Sequence, residues 1–120
     1  MKPCPIRIRA ALARARSLRL ARKHGLDMAQ LIAGLSSNTA VYLRNMGLKA
    51  MQERGLLQET MVADITIFDP LKISYQATYK NGLAESTGIV HILVNGKFAL
   101  SDGAIVAAAT NGQALRFETK

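Results

Sequence analysis

The apolar positions of this chain change period once. Before residue 54 they recur at helical spacing, and after residue 69 they alternate at strand spacing with Gly and Asn turns between. Residues 6–24 carry Ile6, Ile8, Ala11, Leu12, Ala15, Leu18 and Ala21 among arginines. Alanine, leucine and arginine all favour helix, so this segment predicts a moderately amphipathic helix with Gly25 as its C-terminal cap. Asp27 is placed to cap a second helix through Met28, Leu31 and Ile32, which share one face. Ser36-Ser37-Asn38 offers the N-cap of a third, running through Thr39, Ala40, Leu43 and Met46 and stopped by Gly47. Leu48 to Glu53 reads as a linker or short helix, and Leu56-Leu57 as a brief strand.

Gly55 breaks the helical pattern. Val62-Ala63-Asp64-Ile65-Thr66-Ile67-Phe68 then reads as a strand, because β-branched and aromatic residues dominate it, and Asp69-Pro70 stops it because proline cannot extend a ladder. Residues 71–88 look like a loop in which Ile73 and Tyr75 reach the core and Asn81-Gly82 marks a turn. Ile89–Val94 is the clearest strand. Asn95-Gly96 supplies a two-residue type I′ turn into Lys97–Leu100, and Ser101-Asp102-Gly103 turns again into Ala104–Ala108. The fold class is therefore α+β: N-terminal helices over residues 1–53, followed over residues 54–120 by a small antiparallel meander.

Composition narrows this picture. A chain of 120 residues is one domain's worth and can bury about two-thirds of its unfolded surface. Trp is absent and aromatics make up 5% of the chain, so the core is expected to be aliphatic. The formal charge of +8 is not spread evenly. Residues 1–24 hold Lys2, Arg7, Arg9, Arg14, Arg16, Arg19, Arg22 and Lys23 and no acid, while residues 25–120 balance to zero. The basic character thus belongs to the first helix. Its plain reading is a solvated surface helix; its functional reading is a patch for nucleic acid or an anionic membrane, which the lack of interleaved aromatic residues disfavours. Cys4 stands alone, which excludes an intrachain disulfide and a cysteine-based zinc site and fits a reducing cytoplasm. No apolar run approaches the ~20 residues needed to span a bilayer. The Arg-rich, acid-free start also has the composition of a mitochondrial transit peptide.

Several ordered blocks carry a resemblance. Arg54-Gly55 and Met61 to Pro70 come first. Ala77-Thr78-Tyr79, Ser86-Thr87-Gly88-Ile89, Val94-Asn95-Gly96, Gly103, and Gly112 with Leu115-Arg116 follow. In order and spacing they resemble the exit segment of the amidohydrolase superfamily, nearest to the N-acyl-D-amino-acid deacylases, over Ser17 to Arg116. Because Arg19 to Gly25 lies within it, the resemblance argues against a transit peptide. It implies that the helices before residue 54 are a remnant of the outer layer of a (β/α)8 barrel, with Ser37-Asn38-Thr39-Ala40 matching a Ser/Thr-x-x-Ala stretch. It implies likewise that residues 54–120 belong to a small β-sandwich. Two positions depart from the family. Thr60 stands where a glycine is usual, in the turn before Met61, and Asn111 stands where a proline is usual. A β-branched residue tolerates positive φ poorly, so that turn either has another shape or is slightly damaged.

The resemblance also implies chemistry that this chain does not carry. Such enzymes use one or two zinc ions, held by His-x-His, further histidines and a bridging residue, to activate water, with an aspartate as proton shuttle. Zinc is accordingly expected in the parent enzyme. A zinc site needs three or four ligands. This chain has only His24 and His91, no His-x-His, and a single cysteine at its far N-terminus. Residues 1–16 do not reproduce the family's catalytic Asp or the His-Pro-Arg after it, and Cys4-Pro5-Ile6-Arg7 inherits no role. No catalytic, cofactor-binding or metal-binding residue is expected here.

The remaining candidates have plain readings. His91 points opposite to Val90 and Ile92 and reads as a surface or interface histidine. His24 at a helix C-terminus reads as a favourable charge there. Asp64 reads as an acceptor for backbone donors at the strand's start rather than a general base, and Asp69-Pro70 as turn chemistry. Ser36 and Ser37 lack a nearby base and a Gly-x-Ser-x-Gly context. The expected function is a cytoplasmic C-terminal fragment of a metal-dependent amidohydrolase acting on N-acyl-D-amino acids, itself structural and inactive. Its expected partner is the missing N-terminal barrel portion, or a second copy through an exposed sheet edge. No membrane or nucleic-acid partner is expected. The alternative is a small basic module in which residues 1–24 grip nucleic acid or a membrane surface.

Overall fold

The computed structural model describes residues 5–78, 80–81, 84–107 and 111–117, with side chains from residue 13 onward. The chain divides into two compact units.

The first unit comprises Met1–Leu31 and Phe68–Ile89. Helix α1 runs Pro5–His24. Proline suits its first turn, where the missing N–H has no helical acceptor anyway. Gly25, at φ 63°, ends it: the Gly25 and Leu26 N–H groups donate back to Arg22 and Ala21 O, the paired bonds of a Schellman motif. Ala15, Leu18 and Ala21, three residues apart, form the buried stripe of α1. Opposite them in the same unit the loop buries Ile73 and Ala77. Asp69 builds the turn that starts the loop: its Oδ1 accepts the Leu71 N–H at 2.8 Å and its carbonyl accepts Ile73 N–H at 2.9 Å. Ser74 and Thr87 then exchange two backbone hydrogen bonds as an antiparallel bridge. Arg22 ties the loop to the helix, donating from Nη1 to Pro70 O at 2.8 Å and to Ile73 O at 3.2 Å.

The second unit comprises Ile32–Ile67 and Val90–Lys120. Helix α2, Met28–Leu35, begins in the first unit, where Asp27 Oδ1 accepts the Ala29 and Gln30 N–H groups as an N-cap. Helix α3, Ser37–Asn45, follows after a single residue. A short 3-10 helix, Lys49–Glu53, packs against α3, and Ala40 and Leu48 are buried there. Strands β1 Ile65–Phe68, β2 Ile89–Val94, β3 Lys97–Ser101 and β4 Ala104–Ile105 form one sheet in the order β1-β2-β3-β4. β2 pairs with β3 and β3 with β4, both antiparallel, with a register shift between Ile92 and Leu93. Asn95 and Gly96 take φ 51° and 77° between Val94 and Lys97, the type I′ geometry that asparagine tolerates and that glycine, with no Cβ, adopts freely. The architecture is mixed α+β.

The structure corrects the reading at several points. Ser36 occupies the N-cap position of α3, but its hydroxyl makes no capping bond and donates instead to Ile32 O at 2.7 Å. Leu56 and Leu57 form no strand and lie exposed. The first strand is shorter than Val62–Phe68 because Val62 and Asp64 donate their N–H groups outside the sheet, to Glu53 O and Val62 O. The last strand ends at Ile105, one bond short of Val106 N–H to Ala99 O, and Ala108 lies outside the described residues, as does Gly82 of the expected turn. Thr60 adopts φ 69°, so the turn keeps the glycine shape with a threonine in it.

Burial is thin. Every residue of β2 is only half-buried. Tyr42 on α3, Met46 at its C-cap, Ile67 on β1, Phe98 on β3 and Ile105 on β4 are exposed. No helix among the described residues is long and apolar enough to cross a membrane.

Candidate functional site

Two side-chain groupings stand out, one in each unit. In the second unit, Asp64 immediately precedes β1. Its Oδ2 lies 3.4 Å from Arg54 Nε, and its Oδ1 accepts the Asn95 N–H at 2.8 Å. Arg54 also donates from Nη1 to Ala50 O at 2.9 Å. Gly96 N–H to Ala63 O, at 3.0 Å, completes the attachment of the hairpin turn to the strand's approach. Arg54, Asp64, Val94, Asn95, Gln113 and Leu115 line a small cleft of about 110 Å³. Both Asp64 oxygens are occupied by donors, so the carboxylate organises the turn and is not presented as a base.

In the first unit, Arg16 and Arg19 lie three residues apart on one face of α1 and converge on Tyr75. Their guanidinium carbons lie 5.7 Å and 5.2 Å from the ring centroid, the range of cation–π contact. The Tyr75 ring is half-buried and the two arginines are exposed. Sequence reasoning missed this cluster. Tyr75 carried only an expectation of core contact, and no local motif links it to α1.

The two histidines have other occupations. His91 Nδ1 accepts the Asp102 N–H at 3.2 Å, which leaves the proton on Nε2, 3.6 Å from Asp102 Oδ1. Its ring meets Phe98 at 5.6 Å, tilted by 59°. His91 therefore secures the β3–β4 turn from β2. His24 is exposed in the last turn of α1. Ser37 donates to Ala33 O, as Ser36 does to Ile32 O, so neither hydroxyl faces a base. Among the described residues no three His, Cys, Asp or Glu side chains come together as metal ligands. The donor set around His91, a single carboxylate and a backbone N–H, does not fit the zinc expected of the parent enzyme.

The chain is similar to one class of protein, the deacylases. It is 38% identical over 85 residues to N-acyl-D-aspartate deacylase of Alcaligenes xylosoxydans xylosoxydans, a match covering 68% of this chain and 17% of that protein. The chain is thus deacylase-related, and the matched stretch spans about a sixth of its relative's length. No family model matches the chain. No solved structure matches it.

Proposed function

We propose that the chain is the C-terminal part of a metal-dependent amidohydrolase of the N-acyl-D-amino-acid deacylase kind, and that by itself it is structural. In this reading residues 1–53 finish the outer helical layer of a (β/α)8 barrel and residues 54–120 contribute strands to a β-sandwich. The parent enzyme would hydrolyse the amide of an N-acyl-D-amino acid in the cytoplasm, using zinc held by residues outside this chain.

The observation that carries the reading is the 38% identity confined to 17% of a deacylase. The thin burial supports it. Helix and sheet faces that finish a larger body need apolar side chains on the surface left bare, and Tyr42, Met46, Ile67 and Phe98 are such side chains. The missing barrel portion is the partner these faces await. Without it, the chain pairs through its open sheet edge with a second copy.

Reading the genomic frame upstream tests the parentage: a continuous frame with His-x-His supports it, and a stop codon directly before Met1 with no such frame nearby counts against it. A zinc-supplemented assay of the 120-residue chain on N-acyl-D-aspartate tests its inactivity. No turnover is expected, and turnover above the buffer blank overturns the structural role.

A further inference from the structure

We propose that α1 and Tyr75 together form a binding surface for single-stranded nucleic acid, with Arg16 and Arg19 taking backbone phosphates and the Tyr75–arginine stack taking a base. The inference stands apart from the parentage above, since it rests on the first unit alone.

Charge is the first ground. Residues 1–24 hold every excess positive charge of the molecule and no acid. Among the described residues neither Arg16 nor Arg19 has a carboxylate partner; both face the same tyrosine ring. Two guanidinium groups converging on one ring repel each other, and an anion between or beside them relieves that repulsion. Lys23, also exposed on α1 and four residues beyond Arg19, extends the basic surface along the same face of the helix.

Stacking is the second ground, and only the fold supplies it. A basic helix without aromatic residues binds phosphate but offers nothing to a base. Here the loop beginning at Asp69 brings Tyr75 to the helix, and Arg22 locks that loop in place through two backbone carbonyls. An arginine stacked on tyrosine extends the flat surface while its N–H edge stays free for phosphate. Single strands are recognised in this way, by bases laid on aromatic rings or guanidinium planes beside a basic track. Duplex DNA hides its base faces, and a lipid headgroup has none, so neither uses the ring.

The test is anisotropy of a labelled oligouridylate of about 16 nucleotides, titrated with the full chain from about 50 to 200 mM salt. Micromolar affinity at low salt is expected, with log affinity falling against log salt at a slope of about −2 to −3 for three or four phosphate contacts. Arg16→Gln with Arg19→Gln should reduce the slope by about 1.4, and the Lys pair at the same positions should restore it. Tyr75→Leu should weaken binding by about 5- to 150-fold with the slope kept, while Tyr75→Phe should bind like the parent chain. Circular dichroism confirms that each variant keeps its helix. The arginine arm does not depend on the loop's integrity should Tyr75→Leu loosen it. Absence of binding at low salt, an unchanged slope in the Gln pair, or equal competition by polyglutamate or phosphatidylserine vesicles overturns the proposal.

Discussion

Arg54 Nε and Asp64 Oδ2 meet at 3.4 Å, and Asp64's other oxygen holds the Asn95 N–H at 2.8 Å. One carboxylate thereby joins the end of the 3-10 helix, the start of β1 and the first hairpin turn. Arg54 is 16% exposed and Asp64 44% exposed, so solvent screens the ion pair and the larger loss on deletion is the hydrogen bonding. Asp64→Ala should cost about 1–2 kcal/mol. A fall in the urea midpoint checks this, and Asp64→Asn, which keeps an acceptor for Asn95, should recover part of it.

Thr60 adopts φ 69° and is exposed. A left-handed conformation costs a side-chain-bearing residue about 1–2 kcal/mol, partly offset because glycine loses more freedom on folding. Thr60→Gly should therefore stabilise the chain by up to about 1 kcal/mol. The check is a higher urea midpoint at an unchanged m-value.

Gly88 packs directly against the backbone of Ile73. A Cβ at Gly88 would lie 2.5 Å from Ile73 N and 2.6 Å from its Cα, backbone atoms that no rotamer change can move, and Gly88 itself has φ 83°. Gly88→Ala should cost about 3 kcal/mol or more. Ile73→Ala, at a residue only 1% exposed, should cost about 2–5 kcal/mol by leaving a cavity. Denaturation of both variants checks the pair; a silent Gly88→Ala would mean that Gly88 does not sit against the Ile73 backbone.

Arg22 reaches two carbonyls of the loop, Pro70 O and Ile73 O. Arg22→Met keeps much of the aliphatic stem and removes both donors, at a cost of about 1–2 kcal/mol. The loss should appear locally. Limited proteolysis should cut faster between residues 70 and 76 in this variant, with little change near Asn95.

Local chemistry was legible in the amino-acid order. The capping of α2 by Asp27, the stop at Gly25, the turn at Asp69 and the type I′ hairpin at Asn95-Gly96 each depend on neighbours a few residues away, and each was read from them. The limits of β1 and β4 were not, because a strand's length depends on which backbone groups find partners elsewhere in the chain.

By itself the sequence determined the helix-then-strand order, the concentration of charge in residues 1–24 and the likeness to deacylases, all of which reside in composition and short-range pattern. Only the tertiary structure decided that Tyr75 meets Arg16 and Arg19, that Asp64 joins Arg54 to the hairpin, and that His91 secures the Asp102 turn. Each of these joins residues ten or more positions apart, beyond the reach of a single helix or turn. Their meeting depends on how loops close and which apolar surfaces are buried, and no spacing rule along one segment encodes that.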